Sequence, residues 1–255
     1  MSKLIDKLKQ ASQGSPQPMG FGTSRSAKMK PGMILIASLN QANADGLADY
    51  MSGADAGLWH ISSASQIKTL QKASKSIPDL PWGWWLDSDA EKDLEKLLKL
   101  GDDFVVFPID ASLALPQDDK LGRVLLIDSS LNASLLRAID TLPVNAVLVK
   151  SGQDSRLTWQ DLAFFSLLSS VLTKPLLAGT PSTISNDELQ SLWEAGVDGI
   201  VIEVEVDKPA GKVNELRQLI DGLSYSKSRK RGKVEPLIPY LKSDTGVTSE
   251  DEEEE

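Results

Sequence analysis

The stretch Glu194-Ala195-Gly196-Val197-Asp198-Gly199-Ile200-Val201-Ile202 holds, in order, the end of a helical run, a glycine turn, an aspartate and an apolar strand-like run. The same order occurs at Gly53-Ala54-Asp55 and at Gly101-Asp102-Asp103, each followed by an apolar run. Glycine suits the left-handed position just past a helix end, so the repeated unit is a helix feeding a strand. Strands reached through helices are not hairpin partners; they pair in parallel. Strand candidates begin near Met33, Gly57, Trp82, Phe104, Arg123, Asn145, Pro175 and Gly199. Eight such units predict a single (β/α)8 barrel of α/β class.

Helical patterns fill the intervals, most clearly at 89–100, 132–142, 158–172 and 186–195. Asn186, ahead of Asp187 and Glu188, is the expected cap of the last of these. The fourth unit is the short one: 108–122 has Pro116 in its middle and leaves room for a turn or two of helix. Ahead of the barrel, residues 1–12 form an amphipathic pattern with Leu4, Ile5 and Leu8 on one face. The breaker-rich stretch 13–32 then makes a linker, and the two together read as an arm covering one end of the barrel. The expected organisation is an arm over 1–32, the barrel over 33–224 and a disordered tail over 225–255.

Charge supports that division. The 255 residues carry a net charge of −9. The tail gathers Lys227, Arg229, Lys230, Arg231 and Lys233, then closes on an acidic run from Glu250, a composition unable to bury a core. The acidic body argues against a nucleic-acid footprint, and the acidic end can neutralise the basic cluster, so the tail reads as solubilising. There is no cysteine, which excludes disulfides, thiolate nucleophiles and cysteine-held metals. No stretch reads as a signal peptide or membrane span, so the expectation is a cytoplasmic protein. Cofactor and oligomeric state are not legible.

In this fold the carboxyl ends of the strands face the site. Asn40, Ser62, Asp87, Asp110, Asp128, Lys150, Thr180 and Glu203 fall there. Asp87, Asp128 and Glu203 are acid and base candidates, although strand-to-helix loops also favour aspartate simply as a helix cap. Lys150 is the candidate amine or electrostatic group. His60, the single histidine, excludes paired-histidine metal sites and becomes a ligand or general-base candidate if it points inward. Asn40, Gly179, Thr180 and Lys208 complete the ligand-binding candidates, and no metal-ligand set is read. Trp59, Trp82, Trp84 and Trp85 are expected to pack between sheet and helices, with one inward indole available to stack on a planar ligand.

The run Pro175-Leu176-Leu177-Ala178-Gly179-Thr180, followed by a helix and then 194–202, resembles the seventh and eighth units of the phosphate-binding TIM barrels. The resemblance implies a barrel enzyme whose glycines after strands seven and eight offer amides to a phosphate. Thr180-Pro181 and Glu203-Val204 depart from that pattern: proline has no amide hydrogen and a carboxylate repels phosphate, although Lys208 and Lys212 stand near enough in sequence to compensate. Weak or absent binding of phosphate and flavin mononucleotide is the expectation. Lys150 ends the sixth strand, where barrel class I aldolases are similar in placing a Schiff-base lysine. The function read from all this is a small-metabolite enzyme of lyase or isomerase type; the alternative is a non-catalytic barrel that binds or scaffolds.

Overall fold

The computed structural model describes residues 2–13, 32–39, 46–60, 75–86, 103–111, 120–131, 133–150, 156–204 and 211–224. Its strands are β1 (Ile34–Leu39), β2 (Ala56–His60), β3 (Trp82–Trp85), β4 (Phe104–Pro108), β5 (Gly122–Ile127), β6 (Ala146–Val149), β7 (Leu176–Thr180) and β8 (Gly199–Val204). They close into one barrel in chain order, every neighbouring pair parallel, with Ile34 of β1 beside Gly199 of β8. Each strand begins within one residue of its sequence-based start. The helices are α1 (Lys3–Gln13), α2 (Leu47–Tyr50), α3 (Ala133–Ile139), α4 (Trp159–Val171), α5 (Asn186–Glu194) and α6 (Lys212–Asp221). The expected helix at 89–100, the short fourth helix and the tail lie outside the described residues.

The glycine–aspartate repeat has a second purpose beyond the turn. Gly53 and Gly196 do take positive φ, 93° and 96°. The acid two residues later then clamps the preceding strand. Asp198 donates its amide to Leu176 O at 2.7 Å and accepts the Leu176 amide on its carboxylate at 2.8 Å. Asp55 makes the same double contact with Leu35, and Asn145, with no glycine before it, makes it with Arg123. These clamps join β7 to β8, β1 to β2 and β5 to β6. Asp103 keeps the backbone half, to Trp82 O, and turns its carboxylate elsewhere.

That carboxylate caps α1. It accepts from the Ser2 hydroxyl at 2.7 Å and from the Lys3 and Leu4 amides at 2.6 and 2.8 Å, placing a negative charge on the positive end of the helix. The helix lies across the amino-terminal mouth of the barrel. Leu4, Ile5, Leu8 and Ala11 join one apolar cluster with Ile34, Ile36, Leu58, Phe104, Val106, Val124, Leu148, Leu177 and Val201, the side chains that point into the barrel. The alternate strand residues, among them Leu35, Trp59, Trp82, Trp84, Val147 and Ile200, pack outward against the helices. With both faces covered, the strands read as unbroken apolar runs. On the outside, Arg217 of α6 bonds Gly53 O and pairs with Asp55, fixing the last helix over the first strand pair.

Two helix starts are built as capping boxes, Thr158 with Asp161 and Ser185 with Glu188. The cap of α5 is therefore Ser185 and not Asn186, because only Ser185 has the extended backbone that aims its hydroxyl at the Glu188 amide. The amide and hydroxyl of Ser185 in turn hold the Glu188 carboxyl below the usual glutamate range. A lowered carboxyl pKa stabilises the fold above the ordinary glutamate range, and the benefit fades as pH falls toward the folded value. Glu188→Gln is expected to cost about 0.5–1 kcal/mol near neutrality and less at acid pH, checked by urea titrations at pH 7 and pH 3. A constant difference across pH contradicts the assignment.

Candidate active site at the carboxyl-terminal mouth

Strand alternation decides which side chains reach the mouth opposite α1. Ile34, Ile36 and Ser38 share one face of β1, and the first two are interior residues, so Ser38 is inward too; it is buried despite its hydroxyl. By the same count His60 follows Ala56 and Leu58, Lys150 follows Ala146 and Leu148, and Glu203 follows Val201. Trp85 and Leu126 pack against the interior cluster, and Pro108 keeps the inward register of Phe104 and Val106. Among the described residues, the inward strand side chains are apolar above the α1 cap and turn polar at this rim.

The arrangement around the rim is unequal. Glu203, Ser38, His60 and Trp85 stand on the adjacent strands β8, β1, β2 and β3, with Glu203 opposite Ser38 and His60 opposite Trp85. The rings of His60 and Trp85 lie 5.7 Å apart at 50°. Pro108 and Leu126 make an apolar sector on β4 and β5. Lys150 sits on the far side, its amide bonded to Ile127 O, and is exposed, as is Glu203. Two strand spacings, about 10 Å, separate the backbones of β6 and β8 across β7. Between them Gly179 takes the inward register of Leu177.

Not every candidate joins this set. Thr180 keeps step with Leu176 and Ala178, which face the helices, and its buried hydroxyl has no hydrogen-bond partner among the described residues. Asp128 is exposed at the first turn after β5, where its carboxylate accepts from the Ser130 amide at 2.8 Å and from the Ser130 hydroxyl. Those two donors hold its pKa below the usual aspartate range, which keeps it ionised and suits it to shaping the turn. It makes no ion pair with Lys150. Asp110 is exposed past Pro108, the last residue of β4. Asn40, Asp87 and Lys208 lie outside the described residues. No group of three or more metal-ligating side chains occurs among the described residues, and none of the described helices is long and apolar enough to cross a membrane.

Sequence reading missed Ser38 and left the inward indole unnumbered. Both had a local signal. Ser38 is the one polar residue in Ile34-Leu35-Ile36-Ala37-Ser38-Leu39, and Trp85 shares the parity of Gly83 in Trp82-Gly83-Trp84-Trp85. Pro181 follows β7, the Glu188 carboxylate is engaged by Ser185 at the amino end of α5, and Glu203 has the inward register at the end of β8.

No family model and no curated protein sequence matches the chain. Solved structures do. Thiamine phosphate pyrophosphorylase from Pyrococcus furiosus is similar with a TM-score of 0.56 at 15% identity, over 74% of this chain and 96% of that one. For 3-hexulose-6-phosphate synthase from Salmonella typhimurium the values are 0.57 and 14%, over 75% and 100%. A tryptophan synthase α-subunit variant from Pyrococcus furiosus gives 0.58 and 12%, over 75% and 98%. At such identities the likeness establishes the architecture, a closed (β/α)8 TIM barrel.

Proposed function

We propose that this chain is an enzyme acting on a small polar, carbonyl-bearing metabolite at the carboxyl-terminal mouth of the barrel, in a reaction of lyase or isomerase type. The observation that supports the reading is the one-sided rim: among the described residues, ionisable and hydrogen-bonding groups crown the end of the barrel opposite α1, and the other inward strand side chains are apolar. Lys150 is the amine. Deprotonated, it adds to the substrate carbonyl, water leaves, and the resulting protonated imine withdraws electrons from the neighbouring bond. Glu203 is the acid and base for the proton that this bond loses or gains. Ser38 and His60 orient the polar end, and Trp85 offers a flat wall. Asn40, Asp87 and Lys208 belong to the same proposal as further ligand contacts and a second carboxylate. Asp128, which shapes the turn that follows β5, remains a further acid and base candidate beside Glu203.

The altered cup favours a second reading, a barrel that binds a small molecule without converting it. Pro181 removes an amide and Glu203 adds the wrong charge for a phosphate handle. Borohydride reduction of the protein with a panel of keto acids and aldehydes separates the two. The expected outcome is a covalent adduct that peptide mapping assigns to Lys150 and that Lys150→Met abolishes. No adduct across the panel, with Lys150→Met still binding the same compounds, selects the non-catalytic barrel.

A further inference from the structure

Four of the six exposed large apolar side chains among the described residues fall in one region: Leu135 on α3, Leu142 just after it, and Trp159 and Leu167 on α4. Trp159 is 87% exposed. The sequence of α4, Trp159-Gln160-Asp161-Leu162-Ala163-Phe164-Phe165-Ser166-Leu167-Leu168-Ser169-Ser170-Val171, contains one charged residue, and that residue, Asp161, is spent in the capping box with Thr158. Only Phe165 and Leu168 of this helix are fully buried. A barrel helix facing water carries charge on its outer face; the exposed positions of α4, Trp159, Gln160, Ala163, Ser166, Leu167 and Ser170, carry none.

We propose that the outer face of α4 pairs with the same face of a second copy of this chain, the two helices antiparallel about a twofold axis. The face is self-complementary in shape. Trp159 stands at one end of an exposed stripe that continues through Ala163, Ser166, Leu167 and Ser170, so an antiparallel partner sets each indole over the small side chains of the other copy. It is self-complementary in charge as well. Exposed Arg156, which also acts on Glu188, lies just ahead of the amino end, whereas the carboxyl end is flanked by Asp140, which accepts from the Thr173 amide at 2.9 Å and faces Lys174. Antiparallel pairing brings each Arg156 to the other copy's Asp140 and helix carboxyl end, twice over. The helix is about 20 Å long and α3 lies beside it, so the paired faces bury on the order of 800 Å² in total, which suits a weak dimer.

Sedimentation equilibrium of the full chain between about 2 and 200 µM tests this across the range of a weak interface. The expected result is a monomer–dimer equilibrium with a midpoint of tens of micromolar, weakened at least tenfold by Trp159→Glu and by Leu167→Glu. Because the chain has no cysteine, Ser166→Cys, near the proposed axis, is expected to give a single disulfide-linked dimer on mild oxidation. A chain that stays monomeric throughout, or a dimer indifferent to both substitutions, overturns the proposal. If the chain is monomeric and Trp159→Glu lowers the melting midpoint, the face is covered from within the same chain, which also overturns it.

Discussion

Leu8→Ala is expected to cost about 3 kcal/mol of stability, seen as a fall of roughly 6–12 °C in Tm. Leu8 is 0% exposed and sits among interior side chains drawn from the length of the barrel. Truncating it leaves a void against strands already fixed by their own ladder, so little relaxation can refill the space. The effect of a second change distinguishes a plug from ordinary core. Asp103→Ala removes the acceptor for three donors at the start of α1, an expected loss of about 1–2 kcal/mol. If α1 is released as a unit, the double variant loses less than the sum, because a detached helix no longer uses either contact. Hydrogen exchange is then expected to show faster exchange over residues 3–13 in Asp103→Ala, with strand protection retained. Strict additivity with uniform loss of protection contradicts an independently docking helix.

The second large effect lies at Asp198. Asp198→Ala is expected to destabilise by about 3 kcal/mol, whereas Asp198→Asn costs about 1, measured as urea midpoints at constant m. The carboxylate is fully buried and accepts the Leu176 amide, while the Asp198 backbone bonds Leu176 on one side and the Ile34 amide on the other. It therefore stands where β7, β8 and β1 meet and the barrel closes. Alanine leaves the Leu176 amide buried without its acceptor and opens space. Asparagine keeps an acceptor oxygen, and Asn145 already serves the Arg123 amide in this way at 2.8 Å. An Asn variant worse than the Ala variant disproves the clamp.

Those two contacts mark the boundary between local and global information. Gly196-Val197-Asp198 announces a helix end and a strand start in three residues, because the left-handed turn and the apolar run are properties of neighbouring residues. All eight strands, the parallel order and the covering helix α1 follow from such local patterns, since a βαβ chain has few ways to close. The purpose of Asp198 does not. Its partner Leu176 is 22 residues away, and only the register of β7 against β8 places them together.

The rim shows the same division. Lys150 and Glu203 were legible as strand-end residues and His60 as the single histidine of the second strand, and each has the inward register once neighbouring side chains are assigned to the interior. Thr180 was named by the same position and turns toward the helices, one residue out of step with Gly179. A strand has a side-chain period of two, so an uncertainty of one residue in its phase exchanges interior for exterior. Composition cannot fix that phase in strands apolar on both faces. By itself the sequence determined the number, order and direction of the strands, because helix ends, turns and apolar runs are written in adjacent residues; only the tertiary structure decided which faces look inward, which carboxylates bridge strands and which mouth α1 packs across, because those depend on register between segments far apart in the chain.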